Sequence, residues 1–104
     1  MSIEADTVLQ ALGDPTRRRL IDLVTDAPMS VSNLAEKLGV TLTAVGQHLT
    51  VLEQCGLVQT EKVGRTRTCQ LATTGFKVLE QWIRARRSPL EQSLDRLGDI
   101  LDME

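Results

Sequence analysis

The chain has 104 residues, 41% of them apolar, with twelve basic and fourteen acidic side chains and a net charge of −2. That length holds one folded unit and excludes a second; no apolar run approaches the roughly 20 residues needed to cross a bilayer, so a cytoplasmic protein with no membrane partner is expected. The slightly negative balance argues against indiscriminate binding to nucleic acid without excluding a specific site, so any DNA-facing surface must be a local cluster, and the candidates are Arg17, Arg18 and Arg19, then Lys62, Arg65 and Arg67.

In chain order, Ala5, Val8, Leu9 and Leu12 recur at i, i+3, i+4 and i+7 and predict a first helix, closed by Gly13. Asp14-Pro15 starts a second, with Asp14 as N-cap and Pro15 at the first helical position, where its missing N–H costs nothing. Leu20, Ile21 and Val24 line the inner face of that helix. After a turn at Asp26-Ala27-Pro28, Ser30 caps a third helix whose Val31, Leu34, Ala35 and Leu38 keep the helical period up to Gly39. Thr41 then opens a fourth, with a core face of Leu42, Val45, Leu49 and Leu52 and a stop at Gly56. Two short amphipathic helices across a tight Gly-containing turn, over 30–55, are a helix-turn-helix signature.

From Leu57 the period changes to that of strands. Residues 57–63 and 65–71, rich in Thr and Val, flank Gly64 and predict a β-hairpin wing over 57–71. Thr73 or Thr74 begins a fifth helix with Phe76, Leu79 and Ile83 inward, and Ser88-Pro89-Leu90-Glu91 reads as a break with a capping box that restarts a last helix. The C-terminal helices are thus expected over 74–103. Leu90, Leu94, Leu97 and Leu101 form a heptad-like seam. So short a chain has little core of its own to cover that seam, and a second copy is the natural cover; folding back onto its own domain is the alternative. The expected fold is mainly α with a small β-hairpin, a single winged helix-turn-helix domain over 1–104.

The fourth helix carries the reading chemistry. At about 100° per residue, Thr43, Gln47, Thr50 and Gln54 lie opposite its core face, with no Lys or Glu among them. Gln47 can pair with adenine through two hydrogen bonds, and Thr43 can donate to a base edge or touch a thymine methyl. Thr41 and Ala44 join this DNA-facing set at the start of the helix. His48 falls on the flank, as a packed histidine or a phosphate donor. Gly46 in mid-helix costs about 1 kcal/mol against Ala, for close approach to DNA or for close helix packing. On the wing, Arg65 and Arg67 share one strand face and Lys62 lies across Gly64, so the tip can enter a minor groove or hold phosphates. The Arg17-Arg18-Arg19 run spans too wide an arc to face one partner; one, taken as Arg17, contacts phosphate and another pairs with an acidic residue.

The stretches Ala11-Leu12-Gly13-Asp14-Pro15-Thr16-Arg17-Arg18-Arg19-Leu20, Leu34-Ala35-Glu36-Lys37-Leu38-Gly39, Val45-Gly46-Gln47-His48-Leu49 and Gly56-Leu57-Val58 closely resemble the arsenic-repressor (ArsR/SmtB) family, from about residue 5 to about residue 87. The C-terminal extension with Trp82 and the leucine-rich last helix looks like the branch without metal sites. That resemblance implies a homodimer repressing transcription from a partly palindromic operator. The expected dimer interface is Val8, Leu9, Leu12, Trp82, Leu90, Leu94, Leu97 and Leu101. Where metal-sensing members carry a Cys-containing motif this chain has Ser32-Asn33-Leu34-Ala35, Thr74 to Ser88 contains neither Asp nor His, and His48 is the only histidine. No metal or cofactor is therefore expected, since a divalent transition metal takes three or four N, S or O ligands.

Two other functions compete. Cys55 and Cys69 fit no disulfide framework or metal spacing and read as buried thiols, yet oxidation of either could distort the wing in a redox-responsive regulator. A winged helix serving only as a protein-interaction module would explain the acidic balance. An enzyme is not expected, because there is no nucleophile–base pair and no phosphate-cradling Gly loop.

Overall fold

The computed structural model describes residues 2–101. The side chain of Leu101 and residues 102–104 lie outside it, and with them the last seam position and the expected helix end at 103.

Helix α1 (Ala5–Ala11) buries Val8 and Ala11 and turns Leu9 outward. Val8 retains 0% of its surface within its own chain, so it has nothing to offer a partner, contrary to the expectation that placed it in the dimer interface. In α2 (Pro15–Val24) the Asp14 carboxylate accepts the Arg17 N–H at 3.3 Å. Such a cap contributes about 1 kcal/mol by satisfying one orphan donor of the first turn. The buried face is Leu20, Ile21 and Val24, as its spacing predicts.

Helices α3 (Val31–Leu38) and α4 (Leu42–Gln54) are each capped by a hydroxyl: Ser30 accepts the Asn33 N–H and Thr41 accepts the Ala44 N–H, both at 3.1 Å. Between them Gly39 takes φ +68°, and the N–H groups of Gly39 and Val40 donate to the carbonyls of Glu36 and Ala35. That left-handed turn is cheap only without a Cβ, and it folds α4 back across α3. Leu34, Ala35 and Leu38 then share one core with Val45, Leu49 and Leu52. Leu42 does not join it and is 58% exposed. It sits about 50° from the centre of the buried arc, in the first turn, where helical spacing alone overstated its burial.

The sheet has three strands, in the order β1-β3-β2. Strands β2 (Val58–Val63) and β3 (Thr66–Leu71) form the expected hairpin, with Val58 opposite Leu71 and Val63 opposite Thr66. Its turn is Gly64-Arg65, so Arg65 occupies the tip and not a strand face shared with Arg67. The strand the sequence reading lacked is β1 (Met29–Ser30), which pairs with Cys69 and Thr68. Two residues are too few for alternation to register, and β3 supplies the pairing.

Helix α5 runs unbroken from Thr74 to Leu101 with Pro89 inside it. The restart expected at Ser88-Pro89 is absent. Proline removes one helical hydrogen bond; the exposed Arg87–Glu91 ion pair at 2.8 Å, four residues apart along the helix, offsets only a small part of that loss. The helix is anchored at its start: Gly75 N–H donates to the Gly56 carbonyl at 2.8 Å, and a Cβ on Gly75 would sit 2.3 Å from the Cys55 carbonyl oxygen. Only glycine permits that approach of the α5 backbone to the end of α4. Phe76, Val78 and Leu79 pack on the core. Beyond them Ile83, expected to face inward, and Leu90, Leu94, Leu97 and Ile100 are 52–65% exposed.

Candidate nucleic-acid interface

Along α4, Thr43, Gly46, Gln47 and Thr50 are exposed while Val45, Leu49 and Leu52 are buried, so the face assigned to base reading is open to solvent. Thr43 and Gln47 engage no partner within the described residues and keep their full hydrogen-bonding capacity. Thr50 already donates its hydroxyl to the Gly46 carbonyl at 3.0 Å, which leaves it as an acceptor. Thr41 is committed as the cap, with its hydroxyl proton still free to donate, and Ala44 is half-buried beside it. Nothing lies within 4 Å of a Cβ built on Gly46. Close packing inside the chain is therefore not the reason for a glycine there.

The basic residues fall into two groups. Lys62 and Arg65 are exposed at the wing and make no ion pair within the described residues. Arg67 is held: its Nε and Nη2 donate to the Thr60 hydroxyl at 3.2 and 2.9 Å, and Nη2 lies 3.5 Å from Glu53 Oε1, to which Thr60 also donates at 3.2 Å. Arg67, Thr60 and Glu53 thus tie the wing to the end of α4. Sequence reasoning missed this because the three residues come from three elements whose approach no local spacing reveals.

Arg17, expected on phosphate, spends its Nε on the Ala11 carbonyl at 2.6 Å and also lies 3.7 Å from Asp14, while Arg18 donates to the Leu12 carbonyl at 2.6 Å. Both guanidinium groups close the C-terminal end of α1, where orphan carbonyls and the helix dipole favour cations. The arginine beside an acidic residue is thus Arg17 itself, next to Asp14, and not another of the three. His48, on the flank of α4, places Nδ1 3.4 Å from Asp14 Oδ2 and is 23% exposed.

Both cysteines are fully buried. Burial, assisted by the nearby Glu53 charge and opposed by Arg67, pushes the Cys69 thiol up to about 11; burial also raises Cys55. No group of three or more His, Cys, Asp or Glu side chains among the described residues could hold a metal ion.

Of the residues expected at a dimer interface, Leu9, Leu90, Leu94 and Leu97 are exposed, Trp82 is half-buried beneath the Arg86 guanidinium at 3.9 Å from its ring centroid, and Leu12 packs partly against the core.

A tight two-helix unit with an open polar face on its second helix, followed by a hairpin whose tip carries free cations, defines a winged helix-turn-helix protein. Residues 12–61 match a family model described as a helix-turn-helix domain. The chain is 37% identical over 99 residues to the HTH-type transcriptional regulator Rv2034 of Mycobacterium tuberculosis, covering 90% of this chain and 92% of that one. It is 27% identical over 78 residues to the transcriptional repressor SdpR of Bacillus subtilis, covering 75% and 87%. Its structure resembles the crystal structure of the ArsR family transcriptional regulator RHA00566 with a TM-score of 0.75 and 32% identity, over 88% of this chain and 97% of that one. The chain belongs to the arsenic-repressor (ArsR/SmtB) family of winged helix-turn-helix transcriptional regulators.

Proposed function

We propose that this protein is a sequence-specific repressor that binds a partly palindromic operator as a homodimer, in the cytoplasm and without a metal or other cofactor. The observation that carries the reading is the open face of α4, where Thr43 and Gln47 stand with unused hydrogen-bonding groups beside a wing bearing free Lys62 and Arg65. In this reading residues 30–55 enter the major groove and residues 57–71 reach the flanking backbone or minor groove. Gln47 and Thr43 read bases. Thr41, Ala44 and Thr50 line the approach, and Lys62 and Arg65 hold phosphates. Arg67 sets the wing angle through Glu53, and Arg17 acts mainly by fixing α1 against α2.

Dimerisation is supported by Leu9 and by the exposed leucines of α5, which none of the described residues covers. A twofold dimer presents two copies of α4, which is what a palindromic site requires. Repression is supported by the likeness to a relative named as a repressor. No described helix is long and apolar enough to cross a membrane. A thiol switch has little support, since a thiol at about 11 holds roughly one part in ten thousand as thiolate at neutral pH.

Selection from randomised duplexes, followed by titration of the selected site over a range of salt, tests the proposal. The expected outcome is an inverted-repeat sequence whose affinity falls steeply with salt through counterion release. Recovery of no sequence, or salt-insensitive binding, would leave the interaction-module reading in its place.

A further inference from the structure

We infer that His48 is a proton-linked phosphate contact: its imidazolium, held on one side by Asp14, donates from the other side to the DNA backbone, so that operator binding takes up a proton at each His48. The inference rests on the DNA-binding reading of α4 and adds to it a regulation by pH.

Three observations carry it. Nδ1 of His48 lies 3.4 Å from Asp14 Oδ2, close enough for an ion pair once the ring carries a second proton. No hydrogen bond within the described residues engages Nε2, and no buried side-chain nitrogen or oxygen lacks a partner there, so Nε2 reaches solvent. His48 directly follows Gln47 in α4, on the flank that adjoins the open polar face, where phosphate contacts fall when a helix occupies the major groove.

The chemistry then follows from the two nitrogens. In neutral imidazole with the proton on Nδ1, Nε2 is an acceptor and meets a phosphate oxygen lone pair to lone pair. Once protonated, the ring donates from both nitrogens, and it lies between two anions, Asp14 and the phosphate. The charged groups around it are Asp14 and, across that same carboxylate, Arg17, whose Nη1 is 3.7 Å from Oδ2. From α3, the neighbouring charges Glu36 and Lys37 are exposed, and no carboxylate other than Asp14 lies within ion-pair distance of the ring among the described residues. Arg17 draws some of the Asp14 charge, but its shortest hydrogen bond goes to the Ala11 carbonyl, so the carboxylate remains available to His48.

Binding that favours the protonated ring must raise its titration midpoint, and by linkage affinity is gained below the free-state midpoint and lost as pH rises through the bound-state one.

His48 is the sole histidine, so its ring signals in proton NMR of tag-free protein are unambiguous. The test follows them against pH, alone and saturated with a short mixed-sequence duplex at low salt, since a phosphate contact needs no particular sequence. The expected result is a midpoint about one pH unit higher with duplex than without, matched by about tenfold weaker binding per protomer on the alkaline side of the transition than on its acid side. His48→Gln should bind with that pH dependence removed, and Asp14→Asn, which keeps the helix cap, should show a reduced one. Duplex binding with an unmoved midpoint, or His48→Gln with unchanged pH dependence, overturns the inference and leaves the DNA reading intact. Absence of binding to this duplex and to the selected operator at every pH overturns both.

Discussion

Leu20, Leu34, Leu52 and Leu57 lie in the body of the molecule with no exposed surface, whereas Leu90, Leu94 and Leu97 on the second half of α5 are more than half exposed. The same residue type serves two purposes. In the body, each buried leucine stabilises the fold by about 1.5–3 kcal/mol. On α5, past Leu79, none of the described residues folds over the apolar stripe, so the stabilisation it can give is deferred to an assembly. The body is complete without the second half of α5, and substitutions in the two regions should separate folding from association.

The largest expected effect tests that division. Leu94→Glu should abolish dimerisation in sedimentation experiments and weaken operator binding by about 10²–10⁴-fold, because two half-sites are no longer held by one linked pair of reading helices. Its urea-unfolding free energy per monomer should change by less than about 0.5 kcal/mol. Leu52→Ala should instead cost about 2–5 kcal/mol of stability. A Leu94→Glu protein that remains a dimer would move the interface off α5.

Within the DNA-facing surface the contrast lies between groups that are free and groups that are held. Gln47→Ala should cost about 1–3 kcal/mol on the selected operator and little on scrambled DNA, with the salt slope unchanged. Arg65→Ala, at the free tip, should weaken both duplexes alike and reduce the magnitude of the salt slope by about one unit per protomer. Arg67→Ala should differ from Arg65→Ala. It releases Thr60 and Glu53, so the loss should appear as a lower melting temperature and a more mobile wing, with a smaller change in salt slope. Equal behaviour of the two arginine variants, measured by titration and thermal melting, would remove the distinction the structure draws between them.

Much of this architecture is legible in the sequence. The caps Asp14, Ser30 and Thr41, the turn at Gly39 and the buried faces of α2 and α3 follow from local rules, because each cap or contact falls within four residues. What stayed hidden depends on approaches between elements distant in sequence. The two-residue β1 exists only because β3 pairs with it, Arg67 is held by residues of two other elements, and Val8 is buried by helices that follow it in the chain. Pro89 reads as a stop because its local cost is real, yet the helix continues with intact turns on either side of it. Of the candidate site, the open face of α4 was readable from periodicity, while the Asp14–His48 approach was not.

The smallest expected effect is also the most discriminating, because it sets stability against binding at one atom. Gly46 lies in the middle of α4, exposed, with nothing within 4 Å of the position a Cβ would take. As a helix-interior residue it should cost about 0.5–1 kcal/mol relative to alanine, through the extra freedom it loses on folding. Gly46→Ala should therefore raise the unfolding free energy by about that amount, measured by urea titration of the free protein. If α4 lies in the major groove with Gly46 toward the backbone of the duplex, the added methyl meets DNA and operator affinity falls while stability rises. Opposite signs in the two measurements would identify Gly46 as a clearance position for DNA. A variant that is both more stable and equally tight would show that α4 approaches the groove along another line, nearer Thr43 and Gln47.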